Sequence, residues 1–382
     1  MSSPDYIRHL GFIGQGLGRR KSVWEYLHVD LPLLVALTIL LGFGLMVLYS
    51  ATDGNLVLLR RQVAFIVVSL VAMLLLAQIE MRILRRWAPW MYLAGLGLLV
   101  AVIFFGSTGG GAKRWLDLPV LPRFQPSEIM KVALPLTIAA YFSKRNLPPR
   151  FKHVFWSFVL VMLPAALIAI QPDLGTALLI AVSGIFVLLL AGIRWKLVFS
   201  IVGAGILSSP ALWIFYMSDY QKQRIKTLLN PQSDPLGAGW NIIQSQTAIG
   251  SGGVYGKGWL NGVQSRLDFL PEGQTDFIVA VLAEEFGMVG MLFLLALYMT
   301  IIGRGLYIAA MAQDTFSRLL AGSIILTFFV YVFVNIGMVS GILPVVGVPL
   351  PLVSLGGTSI LTLMIGFGIL MSIHTHNKSL IP

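Results

Sequence analysis

The sequence predicts an all-α polytopic membrane protein with ten transmembrane helices and one large external loop between helices 7 and 8. Three observations predict it. Of the 382 residues, 57% are hydrophobic and only 11% are charged, where a soluble domain carries about 25% charged residues. The apolar residues gather in ten continuous runs of roughly span length. Within those runs apolar and polar residues do not alternate, as the strands of a membrane barrel would require.

The runs centre on 31–50, 62–79, 88–105, 128–142, 154–170, 175–193, 195–217, 276–303, 318–342 and 354–373. The first follows Arg19, Arg20 and Lys21 and holds about 20 apolar residues, too many for the core of a signal peptide. It is read as a retained first span after a cytoplasmic segment 1–30. Residues 31–374 then form one membrane domain, and 375–382 a cytoplasmic tail. Arg82, Arg85 and Arg86 share one short loop, and Lys144, Arg145, Arg150 and Lys152 share another. Basic short loops mark the cytoplasmic side. Both termini therefore lie inside, and the long segments 106–127 and 218–275 lie outside. The net charge of +11 reflects this orientation and anionic lipid rather than nucleic acid. Loops of this length, rich in Gly and Pro, are functional or disordered. In the second, Trp240, Ile243 and Thr247 recur at helical spacing, which fits a short helix lying at the interface or packed on the bundle.

Cysteine is absent, which excludes disulfides, thiol nucleophiles and thiolate metal sites. His9, His28, His153, His374 and His376 all fall at the cytoplasmic face on this topology. The His374-x-His376 pair reads as a solvated pair at the interface. External chemistry is thus left to carboxylates, Lys, Arg, Ser and Tyr, and no protein metal site is expected. Asp276 stands where a long polar loop meets a long apolar run, with Glu272 just before it and Glu284 and Glu285 within the run. Carboxylates at or inside a span are costly and default to function. At a helix start, however, Asp276 also reads as a simple cap. Glu128 and Lys131 share a helix face at the mouth of the fourth run, as a structural pair or as part of a site. The segment Gly250-Ser-Gly-Gly-Val-Tyr-Gly-Lys-Gly258 resembles a phosphate cradle built of backbone N–H groups and Lys257, or a plain Gly-rich turn. Gly109-Gly-Gly-Ala-Lys113-Arg114-Trp115 offers a second cradle with two cations and an indole. Together these suggest an amphiphile with an anionic headgroup, handled on the outer side.

Several longer motifs carry a resemblance. Phe269-Leu-Pro-Glu-Gly-Gln-Thr-Asp-Phe-Ile278, Lys113-Arg-Trp115, Gln125-Pro-Ser127-Glu128 with Lys131, Gln171-Pro-Asp-Leu-Gly-Thr176 and Pro349-Leu-Pro-Leu-Val-Ser354 before Gly356-Gly357 resemble the SEDS family (shape, elongation, division and sporulation). Asn335 through Pro349 and Met371-Ser-Ile-His-Thr-His376 are similar to its elongation (RodA-type) branch rather than to the division (FtsW-type) branch. Leu355 stands where the family usually has Tyr.

The resemblance implies a peptidoglycan glycosyltransferase that polymerises lipid II for cell elongation in the bacterial inner membrane. It implies Asp276 as the base and Lys113, Arg114, Trp115, Gln125, Ser127, Glu128, Lys131, Glu272 and Ser354 as substrate residues, to which the Gly-rich cradle adds Lys257. Arg114, Lys131 and Lys257 would stabilise the leaving pyrophosphate, with or without a divalent cation such as Mg or Mn. It also implies a class B penicillin-binding protein as transpeptidase partner within the elongation machinery. Three alternatives remain at this point: a flippase or transporter for the same lipid-linked precursor, a division-type (FtsW-type) polymerase, and a scaffold without chemistry of its own.

Overall fold

The computed structural model describes residues 27–378 apart from 110–111, 118–122, 218, 235–236, 264–269 and 271. The segment expected before residue 27, the tail after 378, Gly110 and Gly111 of the second cradle and Pro271 lie outside the described residues. Each apolar run coincides with a helix: α1 (Leu31–Ala51), α2 (Leu56–Ala77), α3 (Met81–Phe105), α4 (Pro126–Phe142), α5 (Phe151–Ile170), α6 (Leu174–Leu190) and α7 (Trp195–Ala211). Two helices of the long loop follow, α8 (Asp219–Leu229) and α9 (Ala238–Gly252). The chain closes with α10 (Ile278–Met311), α11 (Thr315–Val339) and α12 (Gly357–Lys378).

Among the described residues seven helices are long and apolar enough to cross a membrane: α1, α2, α3, α5, α10, α11 and α12. The other three, α4, α6 and α7, have 17 residues each. At 1.5 Å per residue each reaches about 26 Å, short of a hydrocarbon core of about 30 Å. The chain is a multi-pass membrane protein, and the ten-span count rests on these three short helices.

Local chemistry sets the helix starts. Asp30 caps α1 through Leu33 N at 3.0 Å, Asn55 caps α2 through Val57 N at 3.0 Å, and Asp314 caps α11 through Ser317 N at 3.1 Å. Each side chain satisfies an amide that has no partner within its helix. The bundle packs α2 on α12, α10 on α11, and α4 and α6 on α11. α4 is apolar around most of its circumference and its middle is buried, as befits a central helix.

Both loops expected to be external carry structure. The first is a hairpin of β1 (Ser107–Gly109) and β2 (Ala112–Trp115), which pair antiparallel. In the second, α9 exists as its periodicity predicts, but it packs on α10. Its buried face is Ile242, Ser245 and Ala248 rather than Trp240, Ile243 and Thr247. Ser245 Oγ donates to Val339 O at 2.8 Å, so the face that can bond the end of α11 turns inward.

The expected solvated pair His374 and His376 is instead packed. Asp30 accepts from Arg304 at 2.6 Å and lies 3.3 Å from His374 Nε2, while the His28 and His376 rings stack at 4.2 Å. Asp30 opens α1, and Ser50, about 30 Å along α1 from it, meets Glu285 at the end of the half-helix that follows Asp276. This histidine cluster and Asp276 therefore occupy opposite ends of the bundle.

Candidate active site

Asp276 lies in a turn stitched by one carbonyl. Glu272 O accepts from Thr275 N and from Phe277 N, both at 3.1 Å, and Gly273 N donates to Leu270 O at 2.9 Å. The cap of α10 is Phe277, with no side-chain capping bond. The Asp276 carboxylate is thus not consumed as a helix cap. It lines a cavity of about 380 Å³ together with Glu272, Arg224, Asn241, Asp234 and Gly347. Burial pushes its carboxyl from the ordinary 3.8 up to about 6; Glu272 adds repulsion, and Arg224 and Arg114 pull it back.

The turn is held from beneath by the extended segment between α11 and α12. Asn335, fully buried, donates to Asp276 O at 2.8 Å and to Val348 O at 2.7 Å. Ser354 Oγ donates to Thr275 O at 2.5 Å and accepts from Leu350 N at 2.8 Å. Leu355 N donates to Gln274 O at 3.0 Å. Gln62 secures this segment in turn, donating to Ser354 O at 3.0 Å. Ser354 is therefore a strut below the Asp276 turn, only 2% exposed, and not a group facing the cavity.

The other sequence-predicted residues fall into separate places. Arg114 meets Asp173 at 3.4 Å and Gln125 donates to the same carboxylate at 3.2 Å, while Asp173 caps α6 through Thr176 N. This ties the hairpin to the bundle and keeps Arg114 within electrostatic reach of Asp276. Lys113 pairs with Thr108 in the hairpin. Trp115 lines a second cavity of about 330 Å³ with Arg61, Phe65, Arg123 and Gly356. Lys131 bonds Glu128 at 2.5 Å and lies 5.0 Å from the centre of the Tyr331 ring. Ser127 Oγ and Glu128 Oε2 are buried without a hydrogen-bond partner. Glu272 stands at the cavity rim, where Thr275 Oγ1 donates to it at 2.5 Å.

Lys257 is placed away from this group. Its ammonium pairs with buried Glu284 at 2.7 Å, about 12 Å along α10 from Asp276. The Gly-rich segment around it is not an open cradle: Gly256 N, Lys257 N and Gly258 N donate to Gly252 O, Glu284 O and Glu285 O. Backbone amides already spent within the protein do not bind phosphate.

Arg224, Gln223 and Thr227 on α8 were not among the sequence candidates, yet they line the Asp276 cavity. The available signal was the run Lys222, Arg224, Lys226 in a segment assigned to the outside. Orientation rules discount charge in long loops, which hid it. Among the described residues no group of three or more His, Asp or Glu side chains is placed to hold a metal ion.

Fold and site together define a polytopic membrane protein with a semi-buried carboxylate in a cation-flanked cavity at one end of its bundle. The sequence profile of the cell cycle protein family (FtsW, RodA, SpoVE) matches residues 27–379, and the chain belongs to this family, the SEDS family. It is 54% identical to the peptidoglycan glycosyltransferase MrdB of Escherichia coli K12, over 94% of this chain and 97% of the relative. A probable peptidoglycan glycosyltransferase FtsW of Trichlorobacter lovleyi is 38% identical, over 90% and 92%. The rod shape determining protein RodA of Thermus thermophilus has a similar structure, with TM-score 0.69 and 28% identity over 90% and 96%. A chain from a peptidoglycan synthase complex superposes with TM-score 0.80 and 30% identity, over 90% and 97%.

Proposed function

We infer that this chain is an elongation-type peptidoglycan glycosyltransferase, polymerising lipid II with Asp276 as general base. One observation carries the assignment of the base. An aspartate left free of helix capping lines a 380 Å³ cavity with its carboxyl lifted to about 6, close to working pH. The 54% identity to MrdB across nearly the whole chain supports the substrate and the elongation branch.

The reaction joins the 4-hydroxyl of the acceptor N-acetylglucosamine to the anomeric carbon of the donor. Asp276 takes the hydroxyl proton as the oxygen attacks, and the carbon–oxygen bond to pyrophosphate breaks. The donor linkage is α and the product β, so one displacement with inversion and one base suffices. The leaving pyrophosphate needs cations rather than an acid. Arg224 and Arg114 are the cations that act electrostatically on Asp276, so they replace Lys257 in that role. Lys131 lies deeper, in its pair with Glu128.

The three 17-residue helices, added to the seven long ones, support a ten-helix topology. Basic short loops at 82–86 and 144–152 support cytoplasmic termini and an external Asp276. The flippase reading loses ground because the groups around Asp276 gather at one end of the bundle, with the histidine cluster at the other. A class B penicillin-binding protein is the expected partner. The likeness to a chain from a complex named for coordinating polymerization and crosslinking supports it. Labelled lipid II given to the wild type and to Asp276→Ala, each with the partner, tests the reading.

A further inference from the structure

α10 is one helix in sequence and two in space. Gly287 interrupts it at φ 62° and ψ −157°, where helical hydrogen bonding cannot continue. The chain that follows α9 fills the break. Lys257 N and Gly258 N donate to the carbonyls of Glu284 and Glu285 at 3.0 and 2.9 Å. Met288 N and Val289 N donate to the carbonyls of Gly253 and Val254 at 3.0 and 3.1 Å. The backbones approach so closely that a Cβ on Gly256 would lie 2.1 Å from Glu285 O. A Cβ on Gly287 would lie 2.4 Å from Gly256 N. Both glycines also hold positive φ, and glycine alone meets both demands.

Side chains lock the insertion. Glu284 is fully buried and takes both Lys257 Nζ at 2.7 Å and Val263 N at 2.9 Å. Glu285 accepts from Ser50 at the end of α1, and Trp259 Nε1 donates to Met46 O at 3.1 Å. The half-helix 278–286 follows directly on the Asp276 turn, yet the break cuts it from the helical ladder of 288–311. Asn335 and Ser354 hold the turn at its Asp276 end, and the inserted segment grips the other end at residues 284–286. The Lys257 side chain is 30% exposed, and an ion pair open to solvent adds little net stability, so thermodynamic stability alone gives no reason for this pair. Geometry does, since a misplacement of about 1 Å costs up to about 100-fold in rate.

We propose that Lys257 and Glu284 are positioning residues, whose pair locks residues 253–263 into the break of α10 and thereby fixes Asp276 in the cavity. The proposal rests on Asp276 as the base. It is tested by steady-state lipid II polymerisation with the full chain and its partner, on Lys257→Met, Lys257→Arg, Glu284→Gln and Asp276→Ala, with thermal melting of each. The expected result is a kcat about 10- to 100-fold lower in Lys257→Met and Glu284→Gln. Their KM for lipid II should change less than about twofold, and Lys257→Arg should restore turnover. Hydrogen exchange should rise in 278–286 and stay unchanged in α11. If Lys257→Met does not fold, Glu284→Gln carries the same comparison. Unchanged kcat in both, loss of activity only in proportion to unfolded protein, or failure of Lys257→Arg to restore turnover overturns the proposal. Full turnover in Asp276→Ala would instead overturn the assignment of the base, whatever the pair variants do.

Discussion

Asn335 on α11 donates 2.8 Å to the backbone carbonyl of Asp276, the residue just before the cap of α10. Its amide also donates 2.7 Å to Val348 O. One side chain thus ties the Asp276 turn, helix α11 and the extended segment below the cavity. Asn335→Ala leaves two buried carbonyls without their donor, a loss of about 1–3 kcal/mol. The variant should melt lower and turn over more slowly, read by thermal melting and product formation; an unchanged kcat would show that the turn holds without it.

Ser354→Ala tests the second strut. It removes a donor to Thr275 O and an acceptor for Leu350 N, a cost of about 1–3 kcal/mol. KM for lipid II should stay close to wild type, because Ser354 does not face the cavity. A large rise in KM with unchanged stability would return Ser354 to the substrate-binding set.

The pH profile tests Asp276 as the proposed base. Asp276 must be ionised to accept a proton, so activity should fall on the acid side with a midpoint near 6. Glu272 raises the carboxyl and Arg224 lowers it. Glu272→Gln should therefore move the acid limb to lower pH, and Arg224→Gln to higher pH. Burial, the largest cause, remains in both, so neither variant should reach the ordinary 3.8. Limbs that move the other way would exclude Asp276 as the titrating group.

Asp276 also links stability to pH. Its folded value lies above its unfolded one, so the folded state binds the proton more tightly. The protonated form favours folding below about 4, and that advantage is lost as pH rises through about 6. At neutral pH the buried carboxylate costs up to about 3 kcal/mol. Asp276→Asn should melt higher than wild type at pH 7–8, with the difference closing toward pH 4. A melting difference independent of pH would contradict this linkage.

The helices were legible because most of the apolar runs are long, and the starts of α1, α2 and α11 carry Asp or Asn. Asp276 was legible as a carboxylate at a loop–helix join, and local sequence left it poised between cap and base. Phe277 as the cap decides that in favour of a free carboxylate. Lys257 read as a phosphate ligand because Gly-rich sequence does not say where its amides point; here they point at α10. Arg224 was invisible because its partnership with Asp276 joins residues 52 positions apart, a separation at which hydropathy and spacing carry no signal. Ser354 sits in a motif whose importance the sequence conveys, but whether it serves substrate or scaffold depends on the carbonyl it meets.

The most direct measurement is glycan product from labelled lipid II, made by Asp276→Ala purified in detergent with its partner. The account predicts no polymer above background from a variant that melts and binds its partner like wild type. Undiminished product would contradict it and remove Asp276 from the chemistry.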